Sequence, residues 1–145
     1  MKIADTRSGC PISTTLDLFG DRWSLLIVRN LFIGRMTFSD FLEAPEKIAS
    51  NILRDRLKKL LFYEIIEYKV HARDKKIKQY YLTDKGIDLF PILHNMSIWS
   101  TKHLEFELHP LAVETIEENK DKSYEQIIEQ TTSTYREARE KLVHE

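Results

Sequence analysis

Apolar residues recur at helical spacing along most of the chain, and the period changes only between residues 65 and 82. Ser13, Thr14 and Thr15 follow Pro11 and are expected to cap a short helix that ends at Gly20. Asp21 is placed to cap a second helix, in which Trp23, Leu26, Ile27, Asn30 and Leu31 share a face and after which Gly34 suits the end. Residues 36–38 read as a brief extended piece. Ser39 then caps a short helix over 40–44, stopped by Pro45. Ser50 is a good N-cap for a helix over 51–62, with Leu53, Leu57, Leu60 and Leu61 on one face. Residues 65–70 and 77–82 read as strands around the polar, mostly basic turn 71–76, which predicts a hairpin. Thr83 and Asp84 open a long helix to about residue 102. Its apolar positions include Ile87, Phe90, Leu93, Ile98 and Trp99, and Pro91 inside it predicts a kink.

The order helix, helix, short strand, helix, helix, hairpin, helix is that of a winged helix-turn-helix. The expected fold class is therefore mainly α with a small β-hairpin: a winged helix-turn-helix domain, a long dimerisation helix and a C-terminal helical extension. A first domain over 1–103 and an acidic helical extension over 104–145 follow. In the extension, Ser123 with Gln126 forms a capping-box pattern. Tyr124, Ile128, Thr131, Tyr135, Ala138 and Leu142 follow a heptad seam, weakened by Thr and Ala. The seam either packs on its own domain or pairs between subunits.

A recognition helix needs an apolar face to anchor it and a polar face to enter the major groove. The 51–62 helix offers both. Asn51 near its start can present an amide to adenine, and Arg54 can reach guanine or phosphate. Ser50, Lys58 and Lys59 suit phosphates. Asp55 sits centrally on the exposed face; it either accepts from cytosine or orients Arg54 or Lys59. Arg56, nearer the apolar stripe, is expected to be partly buried, bracing the helix or touching phosphate. Arg73, Lys75 and Lys76 at the hairpin tip, with Lys78 behind them, can follow the backbone or enter a minor groove.

Charge supports this placement only when its distribution is considered. The net charge of the 145-residue chain is −1, yet residues 29–85 carry 13 Lys and Arg against 8 Asp and Glu. Residues 103–145 reverse this, with 5 against 11, so the tail should point away from a bound duplex. A hydrophobic fraction of 42% with 31% charged residues suits a soluble globular protein, and four Gly and four Pro disfavour a loop-rich all-β fold. No apolar run approaches the length of a membrane span, and the polar residues 1–9 lack the apolar core of a secretory signal. With the single Cys10, no internal disulfide framework is available. A cytoplasmic location is expected.

Several runs together resemble the HxlR-type regulators, relatives of the MarR group. They are Cys10-Pro11-Ile12, the stretch Leu16-Asp17-Leu18-Phe19-Gly20-Asp21-Arg22-Trp23 leading into an aliphatic helix, Phe38-Ser39-Asp40-Phe41, Leu53-Arg54-Asp55-Arg56-Leu57, and Tyr80-Tyr81-Leu82-Thr83-Asp84-Lys85-Gly86, with Trp99 beyond. The resemblance spans about residues 8–103. It implies a homodimeric transcription factor that binds palindromic operators and responds to aldehydes, quinones or oxidants as small-molecule inducers. It also implies a dimer built from the N-terminal helices and the helix after the wing, with Leu16, Trp23, Phe90, Ile98 and Trp99 at or near the contact. Two departures stand out. Leu61-Phe62-Tyr63-Glu64 lacks the glycine that usually closes the recognition helix, and the wing has Lys78-Gln79-Tyr80 and no proline.

Cys10 occupies the position at which some members of that family sense oxidants. A sensing thiol needs access and a lowered pKa, for which Arg7 and Arg22 are candidate neighbours. The alternative is a buried small apolar residue. An enzyme is not expected. His71, His94, His103, His109 and His144 show no zinc spacing, and neither a P-loop nor a G-x-S-x-G elbow is present. No cofactor or metal is expected. A winged-helix module that binds proteins instead of DNA is the rival reading; it would need neutral or acidic residues where Arg54, Lys58, Lys59, Arg73, Lys75 and Lys76 stand.

Overall fold

The computed structural model describes residues 1–145. The elements are α1 (Pro11–Phe19), α2 (Ser24–Phe32), α3 (Phe38–Leu42), α4 (Ser50–Phe62), β1 (Ile66–Val70), β2 (Lys78–Leu82), α5 (Asp84–Ile87), α6 (Phe90–His103), α7 (Pro110–Asn119) and α8 (Tyr124–His144). They form two compact units, residues 1–86 and 87–144.

In the first unit α1 begins earlier than the hydroxyl residues predict. Cys10 holds the N-cap position and Pro11 the first turn, where a missing N–H costs nothing. Thr14 and Thr15 are therefore inside the helix, and their hydroxyls donate to the carbonyls of Cys10 and Pro11 four residues back. The N-cap position of α2 is Trp23, two residues past Asp21, yet the Asp21 carboxylate still caps the helix start by accepting from the Trp23 and Ser24 amides, both at 3.0 Å. The cap of α3 is Thr37, not Ser39. Its hydroxyl accepts from the Asp40 amide at 3.1 Å, and the Asp40 carboxylate accepts from the Thr37 amide at 3.0 Å, a reciprocal box that starts the helix two residues early. Ser50 likewise lies within α4, whose N-cap position is Ala49 with no side-chain bond. The extended piece before α3 is reduced to one rung, the Tyr80 amide donating to the Met36 carbonyl at 2.8 Å.

α2 and α4 end in the same way. After α2, Gly34 (φ +89°) lets its own amide reach the Leu31 carbonyl and the Arg35 amide reach that of Asn30. After α4, the Glu64 and Ile65 amides reach the Leu61 and Leu60 carbonyls in the same pattern, but the left-handed residue is Glu64 itself (φ +58°). The missing glycine thus leaves the turn intact and places a Cβ where it is costly, by about 1–2 kcal/mol. Glu64→Gly is expected to raise the urea midpoint, by about 0.5–1 kcal/mol of stability once the exposed Lys85–Glu64 pair is given up. A lowered midpoint would mean that the pair and the freer unfolded chain outweigh the strain.

The hairpin pairs Ile66 with Leu82, Tyr68 with Tyr80 and Val70 with Lys78. It begins one residue later than predicted on each strand. Inside, Phe41, Leu53, Leu60, Ile66 and Leu82 are almost fully buried. A methyl at Gly86 would meet the Ile65 carbonyl oxygen at 2.2 Å, so only glycine lets the chain leave the hairpin this close to β1.

The long helix expected over 83–102 is broken. α5 ends at Ile87, and α6 begins at Phe90 with Pro91 in its first turn. Proline there starts a helix where it was expected to kink one, because its fixed φ suits the first turn. In the second unit α6 packs on α8: the Asn95 amide nitrogen donates to the Tyr124 hydroxyl at 2.7 Å, and the His94 ring lies 5.6 Å from that of Tyr124. The Ser123–Gln126 capping box forms with both bonds. In α8 the buried residues are Ile127 and Thr132, whereas Ala138 of the expected seam is exposed. Tyr124, the first residue of that seam, is met by α6 of its own chain.

Candidate nucleic-acid interface

The candidate interface grows from α4. Leu53, Leu57 and Leu60 bury one face of the helix. Ser50, Asn51, Arg54, Asp55 and Lys58 are all exposed on the remainder. The helix passes through the Glu64 turn directly into β1, so the hairpin that carries Arg73, Lys75 and Lys76 is tied to its C-terminus. These three cations are exposed in a turn closed by the His71 amide on the Ile77 carbonyl at 2.8 Å. The Asp74 carboxylate accepts from the Lys76 amide at 3.0 Å, which shapes the tip without neutralising it by a side-chain pair. Behind the tip, the Lys78 ammonium lies 4.5 Å from the centre of the Tyr68 ring.

Two side chains near Arg54 define its surroundings. Its guanidinium stands 5.7 Å from the centre of the Phe38 ring at the start of α3, a contact the sequence reading missed. Asp55, expected to orient Arg54 or Lys59, pairs with Arg56 instead. Arg56 is the bracing residue: its Nε donates to Asp21 at 2.8 Å from a half-buried position.

Lys59 differs from its expected setting. It is half-buried, and its Nζ donates to the Leu18 carbonyl at 2.6 Å and to Asp21 at 3.2 Å. It points inward and is occupied there. Asp21 therefore collects Arg56 and Lys59 from α4 in addition to capping α2. Burial pushes its carboxyl up, but bonds from the Ser24 hydroxyl, Arg56, the Trp23 amide and Lys59 outweigh this and hold it well below the usual carboxylate range. Arg29 of α2 makes a second brace, a two-pronged bond to Glu46 at 2.7 and 2.8 Å in the turn between α3 and α4. Lys47 in that turn takes a left-handed conformation (φ +58°).

The residues expected at a subunit contact divide. Leu16, Ile98 and Trp99 are exposed, while Trp23 and Phe90 are half-buried. Cys10 is exposed at the N-cap of α1. Of its expected cationic neighbours, Arg7 pairs with Asp17 at 2.6 Å. No helix is long and apolar enough to cross a membrane.

The model of the HxlR-like helix-turn-helix family matches residues 18–108, the span that holds α2 to α6 and every candidate contact named above except Cys10 and Leu16. The chain belongs to the HxlR-like helix-turn-helix family. It is a transcriptional regulator of the helix-turn-helix type with the winged fold. The HTH-type transcriptional regulator YdeP of Bacillus subtilis is 30% identical over 100 residues, which are 69% of this chain and 78% of YdeP. YodB of the same organism is 32% identical over 97 residues, 66% of this chain and 87% of YodB. The reduced form of YodB superposes with a TM-score of 0.55 at 33% identity, covering 66% of this chain and 95% of YodB. The redox regulator HypR in its oxidised form superposes with a TM-score of 0.59 at 26% identity, covering 67% of this chain and all of HypR.

Proposed function

We propose that this HxlR-like regulator is a homodimer that binds a palindromic double-stranded operator in a sequence-specific way and represses transcription from it. The observation that carries the reading is the build of α4: three leucines seat it in the core, while Asn51, Arg54 and Lys58 are exposed on its outer surface. In this reading α4 enters the major groove, Asn51 and Arg54 read bases, and Ser50, Lys58 and the wing cations Arg73, Lys75 and Lys76 hold phosphates. Asp55, tied to Arg56, faces the same groove. Leu16 in the first unit, and Ile98 and Trp99 in the second, are apolar side chains left in solvent, which supports a role for each, with the half-buried Trp23 and Phe90, in subunit contact. A two-fold dimer would present its α4 helices to major grooves about one helical turn apart, roughly 10 bp. Residues 1–103 would carry this function, with 104–145 as an acidic helical extension.

The test is selection of bound duplexes from a randomised pool with the purified, reduced protein at two salt concentrations. An enriched palindrome whose binding weakens steeply with salt supports the reading, because each phosphate contact releases a counterion. No enrichment and no retention at low salt would favour the protein-binding alternative.

YodB and HypR lend support to an oxidant or electrophile as the signal, and Cys10 is the thiol placed to receive it. As the single cysteine, it would join a second chain or a small thiol. Treatment with a thiol oxidant is expected to weaken operator binding several-fold in the wild type and to leave Cys10→Ser unchanged. Equal loss in both would remove Cys10 from the mechanism.

A further inference from the structure

We propose that Asp21 is a positioning residue that seats the recognition helix on the two N-terminal helices and so sets the half-site spacing the dimer accepts. The inference rests on the DNA-binding reading above and goes beyond it. Two helices, α2 and α4, meet at this one carboxylate, and α1 joins them through Lys59. It accepts from the Trp23 amide, the Ser24 amide and the Ser24 hydroxyl (2.6 Å) at the start of α2. It also accepts from Arg56 and Lys59 of α4, which lie 35 and 38 positions along the chain. Lys59 reaches past it to the Leu18 carbonyl in the last turn of α1.

The geometry constrains α4 in a particular way. Arg56 and Lys59 are three residues apart, so they share one flank of the helix. Two bonds on one flank, made to one group, fix both the height of α4 along its axis and its rotation about that axis. Leucine packing fixes these less sharply, since apolar contacts are non-directional. The same bonds hold two cations of a DNA-facing helix away from the surface. Losing the carboxylate therefore has two separable consequences: the helix loses its directional seat, and Arg56 and Lys59 become available to phosphates.

The experiment compares the wild type with Asp21→Asn in the pool selection, using pools whose half-sites are separated by spacers of different lengths. The amide still accepts from the Trp23 and Ser24 amides, which keeps the α2 cap, but it carries no charge to hold two cations. Affinity for the preferred operator is expected to fall about tenfold or more, as for one lost hydrogen bond to a charged group. Binding to random duplex should hold or rise, with a steeper salt dependence, and the spacer preference should broaden. A purely structural carboxylate would lower both affinities together. Asp21→Glu, which keeps the charge, should restore part of the spacer preference. Lys59→Met supplies a second measurement should Asp21→Asn fold poorly. A broadened spacer profile supports the seat, whereas an unchanged profile with uniformly weaker binding would make Lys59 a plain phosphate contact and overturn the proposal. A wild type that selects no duplex removes the DNA-binding reading itself; a wild type with a sharp operator and an identical Asp21→Asn profile removes only this inference.

Discussion

Leu53→Ala is expected to cost about 2–5 kcal/mol of folding stability, the range for a buried leucine truncated to alanine. Leu53 is 0% exposed, and Leu57 and Leu60 on the same face are 3% and 0% exposed, so the space left behind has no solvent route by which to fill. Against a total of about 5–15 kcal/mol, such a loss leaves a protein close to its melting threshold. The site and the fold share this residue: α4 has no cap side chain at Ala49, so its seat in the core, with the Arg56 and Lys59 bonds to Asp21, holds its outer face in place. Urea unfolding followed by tryptophan fluorescence measures the change, at a fixed chain concentration so that association between copies contributes equally to both proteins. Phe62→Ala in the same helix is the contrast. Phe62 is 71% exposed, and the change should stay within about 0.5 kcal/mol. If Leu53→Ala behaved like Phe62→Ala, the anchoring of α4 described here would be wrong.

How much of this was legible beforehand follows from which forces are local. The leucine stripe of α4 could be seen because a 3.6-residue period is written into neighbouring positions, and so could the hairpin, the Asp21 cap and the Ser123–Gln126 box. The helix starts were legible only to within a residue or two. Ser39 and Ser50 are good caps in isolation, but Thr37 gained the reciprocal partner Asp40, and Ser50 was drawn into the helix. The apolar pattern runs through Pro91 and so predicts a kink; the helix instead stops at Ile87 and a new one starts at Phe90.

Exposure of the candidate side chains is legible where it depends on the helix face and not where it depends on distant partners. Asn51, Arg54 and Lys58 lie outward by periodicity alone. Lys59 sits next to them in sequence and yet turns inward, because Asp21 and the Leu18 carbonyl, about forty residues earlier, offer it bonds. No local signal announces such a pair. The Phe38 ring under Arg54 was invisible for the same reason. The absent glycine after Phe62 is a real departure from the family pattern, but the backbone compensates: Glu64 takes the left-handed turn, its carbonyl held by the Thr83 hydroxyl at 2.6 Å.

Arg54→Ala should produce the largest change in operator recognition. Arg54 is exposed one turn from Asn51 and one turn from Lys58, and the Phe38 ring 5.7 Å away narrows the positions its guanidinium samples before DNA arrives. A two-pronged arginine–guanine contact is worth about 1–3 kcal/mol of discrimination. A two-fold dimer, as proposed, would make it twice, so the preferred operator should lose about 2–6 kcal/mol, roughly thirtyfold to twenty-thousandfold in affinity. Random duplex loses only one charge per protomer and should weaken far less. Titration against the selected operator and its single-position variants measures this. Preference should vanish at one base pair in each half-site and persist at the others. Arg54→Lys keeps the charge but lacks the planar fork, so it should recover random-sequence binding and not the lost preference. Lys75→Ala, at the tip of the wing, should do the reverse: weaken every duplex alike and reduce the salt dependence by about one counterion per protomer, while the sequence profile stays unchanged. If Arg54→Ala weakened all sequences equally, Arg54 would belong with Lys75 among the phosphate contacts, and base reading by α4 would fall to Asn51 alone.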